Sequence, residues 1–334
     1  YFQANNYLSL NNLEDALVEC KRINIQLNEL NDKYPDHKNK YQRDAFANLT
    51  MGLIYDDKKD YNNAFIAYRN AYEIYKNDYA VQFNISIPEQ LKQDILRTAS
   101  LSGLWNEVDF YQKEFNITYT RQDKPYAELI FFWENGFGPV KSEWSINVSS
   151  NIENGMLIIA NEEMGIYSAL PIPIGFENTG ILRIAFPKYV ERRPIYTSGN
   201  IMANNQTYPL EQAENINEIA FKCLHDRMGR EIANSISRLI AKKTMEAAMR
   251  KQNEFAGALV GIAGAVTEKT DTRNWQTLPY NISYSRIPLH EGLNNIRFNI
   301  YGNAESKSIE FTFTPQKGQT IFHTYHVLDT ERPQ

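Results

Sequence analysis

Apolar positions divide this chain into a front part with helical spacing and a rear part with strand-like runs. In the front part, apolar residues recur at steps of three and four, which places them on one face of a helix. Residues 121–125 then form a polar break that is typical of a domain boundary. We therefore predict an α+β protein with a helical domain over residues 1–120 and a β-rich domain over residues 121–334.

The segment 41–75 has the spacing of a tetratricopeptide helix pair. In such a pair, small residues lie where the two helices meet, and aromatic residues fill the groove beside them. Gly52 and Ala64 are the predicted small contacts, and the polar segment 56–60 is the predicted turn. The predicted large contacts are three tyrosines: Tyr55, Tyr61 and Tyr68.

Weaker copies of this pattern precede and follow the segment. The preceding copy consists of Tyr7, Leu13, Ala16, Cys20 and Ile23. The following copy consists of Leu96, Trp105, Val108 and Phe115. Because one such unit cannot bury its faces alone, we expect the units to stack and present a concave surface that binds a protein or peptide. The three tyrosines either line that surface or fill the core.

The rear part contains predicted strands separated by turn signals. Those in the first stretch cover residues 127–133, 144–148, 156–160, 167–173 and 181–185, with Pro187 at a strand edge or end. Those in the last stretch cover residues 281–287, 295–301, 308–314 and 320–327. Glycine turns separate the last three strands, which predicts an antiparallel meander.

A long helical insertion, about residues 211–268, interrupts these strands. Ile232 and Ile236 begin an apolar stripe that continues through Leu239, Ile240 and Ala247. The cations on the other side form either a solvated face or a site for an anionic partner or lipid: Arg238, Lys242, Lys243, Arg250 and Lys251. The glycine-dotted run 255–266 is shorter than the roughly 18 apolar residues that a membrane span needs. It predicts a buried helix or, alternatively, a membrane-inserting or self-associating one.

Asp271, Arg273 and Trp275 follow this run and precede a predicted strand, so we single them out as a structural or special loop. One interpretation is a functional loop. The other is structural, with the two charged residues at a helix end and the tryptophan in a core gap.

Composition and motifs favour a protein without catalytic chemistry. The formal net charge of −5 argues against a nucleic-acid binder. The sequence contains no phosphate-binding loop, metalloprotease histidine pair, calcium loop or nucleophile elbow. His323 and His326 are three apart in a predicted strand and face opposite ways, so they form a poor metal pair. Cys223 and His225 do not face each other on a helix, and we interpret Cys20 and Cys223 as buried apolar residues. We predict no cofactor, metal or catalytic residue.

Three segments together resemble a bacterial family of envelope-associated proteins that are often lipoproteins: residues 41–75, 134–143 and 270–279. The resemblance implies a tetratricopeptide-like front, a β-rich back and attachment to a cell envelope, and it implies no known activity. The lipid-bearing cysteine of such a lipoprotein is not visible. The opening Tyr1, Phe2 and Gln3 match the tail of a common protease-cleavage tag, so the absence of an export signal from this sequence says little about location.

Three functions follow from these patterns. The first is a non-enzymatic envelope protein that binds a protein or peptide partner through its helical repeats. The second is an oligomeric or membrane-associating component that uses residues 255–266. The third is a hydrolase of a type that the motifs do not reveal.

Overall fold

The structure is a computed structural model of the chain. It describes residues 2–33, 41–121, 124–147, 152–162, 165–171, 183–252 and 271–332. The chain is 41% helical and 33% strand, which confirms the predicted α+β class.

The chain forms two compact units. The first unit comprises residues 1–138, 191–222 and 276–334, and the second comprises residues 139–190 and 223–275. The division therefore does not fall between residues 120 and 121, where the sequence placed it. The helices before residue 121 and the strand after residue 125 contribute apolar side chains to one core, in which Ile130 and Phe132 pack with the helices.

The first unit begins with a series of helices. They are α1 (Phe2–Ser9), α2 (Leu13–Lys33), α3 (Ala45–Asp57), α4 (Tyr61–Ile74), a π-helical turn (Tyr75–Tyr79), α5 (Ala80–Gln82), α6 (Glu89–Leu101) and α7 (Trp105–Phe115). The strands of the chain are β1 (Ala127–Asn135), β2 (Val140–Asn147), β3 (Ile152–Glu153), β4 (Met156–Asn161), β5 (Ile166–Pro171), β6 (Arg183–Val190), β7 (Tyr196–Ala203), β8 (Gln206–Pro209), β9 (Glu211–Asn215), β10 (Asn281–Leu289), β11 (Asn294–Gly302), β12 (Ser306–Phe313) and β13 (Thr320–Val327). Helix α8 (Ile216–Gln252) lies between β9 and β10.

Helices α3 and α4 form a helical hairpin at the position that the spacing predicted. Asp44 caps α3 by accepting a hydrogen bond from the Ala47 N–H at 2.6 Å, as an N-cap aspartate does. Gly52 lies against the ring of Tyr68, since a Cβ atom at Gly52 would be only 2.3 Å from that ring. The structure confirms the hairpin, and its tetratricopeptide type stays a proposal. The predicted turn was too long, because Asp56 and Asp57 still belong to α3.

Two four-stranded sheets complete the first unit, with strand orders β13-β1-β10-β9 and β12-β11-β7-β8. Ile130 and Phe132 of β1 pack with the helices. Phe131 and Trp133, on the opposite face of β1, pack with the second sheet. The first sheet therefore lies between the helices and the second sheet.

The predicted meander of the last three strands is wrong. β11 and β12 are antiparallel neighbours, but β13 pairs in parallel with β1 in the other sheet. A glycine turn in the sequence indicates where β12 ends. It does not indicate which strand β13 pairs with.

Other boundaries also differ from the prediction. Residues 213–215 lie in β9, so the helical insertion begins at Ile216 instead of about 211. β7, β8 and β9 were not predicted, because their alternation of apolar residues is weak. Pro187 lies inside β6, which is tolerated because β6 has only β2 as a neighbour among the described strands.

The second unit contains two small sheets and the part of α8 that follows residue 222. The sheets consist of β2-β6 and β3-β4-β5. Ile232 and Ile236 of α8 are buried in one cluster with Leu157 and Phe186, which confirms the start of the predicted apolar stripe. The side chains of Leu239, Ile240, Ala247, Lys242, Lys243, Arg250 and Lys251 and the whole run 255–266 lie outside the described residues.

Candidate functional site

The three tyrosines predicted to contact a partner do not share one environment. Tyr68 is fully buried, and its hydroxyl donates to Asp56 Oδ2 at 3.3 Å. It is a core residue, so its predicted partner contact is corrected here. Tyr55 and Tyr61 are partly exposed, and the ammonium groups of Lys21 and Lys124 lie over their rings at 5.9 and 4.7 Å respectively.

The first sheet covers one side of the helical array. Asn5 of α1 donates to Glu134 of β1 at 2.8 Å. Phe46 of α3 packs edge-on against Phe132, with ring centroids 5.9 Å apart. Helices α1, α3 and α6 carry none of the strongly exposed large apolar side chains in the described part of the chain. A partner therefore cannot reach the array from the side that the sheet occupies.

The outer helices carry the exposed apolar side chains instead. These lie on α2, α4 and α7: Val18, Ile25, Leu30, Ile66, Trp105 and Phe110. Trp105 and Phe110 of α7 are 59% and 56% exposed. Phe110 contacts Tyr111, with ring centroids 5.0 Å apart, and Tyr111 in turn contacts Phe65 of α4 at 6.1 Å. Burial raises the pKa of Tyr111 to about 12. The exposed ring of Phe110 thus rests on a packed aromatic layer.

A buried charge network joins the helices to the first sheet. Arg286 of β10 contacts Asp56 at 2.9 Å, Asp94 at 3.2 Å and Glu128 at 2.7 Å. Arg97 of α6 contacts Asp94 at 2.9 Å and also pairs with Asp56. Burial alone would raise the pKa of Asp56, but Arg97 and Arg286 outweigh it and hold that pKa below its ordinary value. The network contains two guanidinium groups and three carboxylates, and it joins helices α3 and α6 to strands β1 and β10.

Glu134 and His326 form a second polar cluster on the same face of the sheet. Their closest approach is 3.6 Å, from His326 Nδ1 to Glu134 Oε2, and Nε2 of the same ring is 3.0 Å from the Gly136 carbonyl oxygen. Burial raises the pKa of Glu134, while the hydrogen bond from Asn5 opposes that rise. His323 lies on the other face, between the rings of Phe131 and Phe311, and burial lowers its pKa. The two histidines therefore face opposite ways, as the strand spacing predicted.

A pocket of about 370 Å³ opens at one end of β1 and β10. Its wall consists of Asn135, Arg193, Pro194, Ile195, Tyr196, Thr197, Tyr280, Asn281, Asn303, Ala304 and Glu331. Asn135 and Asn281 are direct partners in the β1–β10 ladder. The sequence analysis missed this site, because Asn135 lies beyond the end of the predicted strand 127–133 and residues 193–197 had no predicted strand. The only available signal was a polar residue at the end of each strand.

The loop with Asp271, Arg273 and Trp275 is exposed. Arg273 pairs with Asp271 at 2.9 Å, and this pair lowers the pKa of Asp271. Trp275 is 64% exposed, so it does not fill a core gap. Asn274 of this loop donates to the Pro139 carbonyl at 2.8 Å and accepts from the Lys141 N–H at 3.2 Å.

Two of the segments that carry the family resemblance meet in the structure. Besides the Asn274 contacts, the Gly138 N–H donates to the Leu278 carbonyl at 2.7 Å. Gly138 also accepts from Arg192 Nε at 2.8 Å, and the Arg192 guanidinium lies 4.9 Å from the ring of Phe137. Within the first unit, residues 138 and 278 are therefore hydrogen-bonded, and within the second unit Asn274 is hydrogen-bonded to residues 139 and 141.

Cysteine and metal chemistry add no further site in the described ranges. Cys20 is buried and Cys223 partly buried, and both are free thiols. Burial raises their pKa values to about 12 and about 11. No three His, Cys, Asp or Glu side chains are grouped so that they would hold a metal ion, as far as the described residues go. Of the helices that the structure describes, none is both long and apolar enough to span a membrane.

Comparison of the chain with protein-family models, with curated proteins and with solved structures found no match.

Proposed function

We propose that this is a non-enzymatic protein of the bacterial cell envelope that binds a protein partner through its helical array. The helix pairs are of the tetratricopeptide type in this proposal, as the Gly52–Tyr68 contact and the hairpin at 45–74 suggest. The envelope assignment rests on the resemblance carried by residues 41–75, 134–143 and 270–279. A lipid anchor upstream of this sequence would attach the protein to the membrane.

The observation that carries the proposal is the position of Trp105 and Phe110. Interfaces are enriched in aromatic side chains, and a few such anchors usually supply most of the binding energy. Both residues lie on α7 and are more than half exposed. The aromatic layer beneath Phe110 holds it in place, so little side-chain entropy would be lost on binding. The partner therefore docks on the outer helices and not on the side that the sheet covers.

The test compares the full chain with a Trp105→Ser, Phe110→Ser double variant. Each protein is cross-linked in envelope preparations of the native host, and the captured proteins are quantified by mass spectrometry. A Trp275→Ser variant is the matched control, since it also removes an exposed tryptophan. We expect a protein that the full chain and the control capture and that the double variant loses. Equal capture by all three proteins would contradict docking on α7.

The location is tested separately. Cell fractionation with an antibody against the chain should place it in the envelope fraction, and mass spectrometry of the native protein should show a lipidated cysteine upstream. Recovery in the cytoplasmic fraction would refute the envelope assignment without affecting the docking test.

The two alternatives remain hypotheses. The oligomeric or membrane-associating role depends on residues 255–266, which lie outside the described residues. The hydrolase hypothesis expects converging carboxylates or histidines in a deep pocket, whereas the pocket described above is lined mainly by amides, tyrosines and apolar groups.

A further inference from the structure

Strand β12 forms an edge of the second sheet, and its outer side is unpaired among the described residues. It pairs with β11 over all eight of its residues without a bulge, and no other backbone hydrogen bond joins it to the described parts of the chain. Five of its eight residues are exposed. Half of the N–H and C=O groups of an edge strand point away from its neighbour, so they can pair with a further strand.

The other three edges of the two sheets are shielded in ways that natural proteins commonly use. β8 has only four residues and ends at Pro209. β9 is bulged against β10, and the carboxylate of its Glu211 binds the N–H groups of Glu89 and Gln90. β13 has no exposed residue. Of the edges that the structure describes in these two sheets, β12 is therefore the one open to a further strand.

The inner face of β12 carries an apolar row that the sandwich covers only in part. Ile309, Phe311 and Phe313 alternate along the strand, and each is partly buried. The ring of Phe311 lies 4.7 Å from that of His323 and 5.4 Å from that of Tyr325, both on β13, measured between centroids. The two sheets thus end together at β12 and β13. A strand added to β12 would place its own side chains beside this row.

The added strand needs apolar side chains on one face and polar ones on the other, and β12 itself has this alternation. Lys307 lies on the apolar face, opposite the buried Ile300, and an inward-pointing charge opposes pairing at that end. Pro315 cannot donate a hydrogen bond at the other end. An antiparallel pair of two β12 strands centred on Phe311 keeps both residues outside the pairing. It also sets Ile309 of each copy opposite residue 313 of the other.

Charges favour the same register. With the pair centred on Phe311, Glu310 of each copy lies opposite Thr312 of the other. A pair centred on Glu310 would set two carboxylates directly opposite each other, which is unfavourable. A pair centred on Ile309 would draw Lys307 between the apolar side chains.

We propose that two copies of this chain associate through β12, in an antiparallel pair centred on Phe311. The pair joins two four-stranded sheets into one sheet of eight strands. Main-chain hydrogen bonds along β12 and the apolar cross-strand pairs hold the copies together. This interface does not depend on the docking surface proposed for α7.

The test is analytical ultracentrifugation of the full chain over a concentration series. We expect the average mass to rise with concentration from that of one chain to that of two. Thr312 is exposed, so a substitution there leaves the core intact. Thr312→Glu sets a carboxylate opposite Glu310 of the other copy at two symmetric places and should raise the Kd of the dimer about fivefold. Thr312→Lys sets a cation there and should lower the Kd by a similar factor.

The matched controls are Thr207→Glu and Thr207→Lys. Thr207 is an exposed threonine on β8, at the opposite edge of the same sheet. These variants change the net charge by the same amounts and should leave the Kd unchanged. Circular dichroism of all four variants checks that each is folded as the unmodified chain is.

Three outcomes would overturn the proposal. A chain that stays monomeric at every concentration would leave the edge of β12 to an extended peptide of another protein. A dimer with the same Kd in both Thr312 variants would be held together elsewhere. Shifts of equal size in the Thr207 variants would show that net charge, and not cross-strand pairing at β12, sets the affinity.

Discussion

Strands β1 and β10 direct apolar side chains towards the second sheet, and both apolar and charged side chains towards the helices. On the apolar face, Phe131 lies 5.0 Å from Phe298 and 5.8 Å from Phe311, measured between ring centroids. On the helix face, Arg286 and Glu134 are each buried against partners from helices. Both faces are covered, so burial alone does not distinguish them.

The two faces of the first sheet hold this unit together through different kinds of interaction. Apolar contacts are non-directional, so many residues of similar size would fill the same space. Ion pairs require a particular partner at a particular distance, and a buried charge without its partner is strongly destabilising. The charge network therefore sets where the helices sit on the sheet, whereas the aromatic face sets how tightly the two sheets pack.

The largest expected effect comes from removing the cation at the centre of the network. Arg286→Met would leave Asp56 and Asp94 buried with only Arg97 between them. We expect the free energy of unfolding to fall by about 3–5 kcal/mol, as when one partner of a buried pair is lost. Urea unfolding followed by circular dichroism measures the change.

The neighbouring residue of the same strand provides the control. Ile287 points to the apolar face and is fully buried. Ile287→Met keeps an apolar side chain of similar volume, so the cost should stay below about 1.5 kcal/mol. If both substitutions cost the same, the two faces do not differ in the way described here.

The next largest loss of stability is expected at Gly52, which lies against the ring of Tyr68. Gly52→Ala would put a Cβ atom 2.3 Å from the Tyr68 ring. The ring cannot turn away freely, since its hydroxyl is held by Asp56 and by Arg286 at 3.1 Å. We expect a loss of about 1–3 kcal/mol in the free energy of unfolding, typical of overpacking.

A second helical glycine serves as the reference for Gly52. Nothing lies within 4 Å of a Cβ atom placed at Gly229 of α8. Gly229→Ala should therefore stabilise the chain by up to about 1 kcal/mol through its helix propensity. A stabilising Gly52→Ala would show that the hairpin does not need a small residue at that position.

The helical hairpin that contains Gly52 and Tyr68 could be predicted from sequence because it depends on local spacing. The two residues lie on successive helices joined by a short turn, so the periodicity of each helix and the length of the turn determine which side chains meet. The orientation of His323 and His326 could also be predicted, because successive side chains of a strand point to opposite faces and these two residues are three apart.

The charge network could not be predicted in this way. Asp56 was interpreted as part of a polar turn, and its partner Arg286 lies 230 residues further along the chain. No local pattern connects the two. The pocket was not predicted for the same reason, since Asn135 and Asn281 meet only because β1 pairs with β10. For the charge network, the one available hint was a charged residue such as Arg286 in a strand of mostly buried residues.

A smaller effect, visible only as a pH dependence, is expected at Glu134. Burial raises the pKa of this carboxyl above its ordinary value, against the opposing effects of Asn5 and His326. A carboxyl with a raised folded-state pKa stabilises the fold fully below its unfolded pKa of about 4.3, and that contribution is lost as the pH rises through the folded value. The stability of the unmodified chain relative to Glu134→Gln should therefore fall as the pH rises above about 4.

Urea unfolding of both proteins over a series of pH values measures this difference. Glu310→Gln is the control, because Glu310 is 71% exposed and pairs with Arg297 on the surface. We expect the control to show no such trend. Curves for Glu134→Gln that run parallel to those of the unmodified chain would mean that the carboxyl titrates alike in the folded and unfolded states.

The smallest effect is expected at Asp271 and Arg273, a pair with the same residue types and the same 2.9 Å distance as Asp56 and Arg286. The difference lies in burial, since the side chains of the exposed pair are 56% and 91% accessible and those of the buried pair 7% and 8%. Water screens the exposed pair and solvates either partner when the other is removed. Arg273→Met should therefore leave the urea midpoint unchanged where Arg286→Met lowers it. A comparable loss in both variants would show that contact geometry, and not burial, determines what an ion pair contributes to this fold.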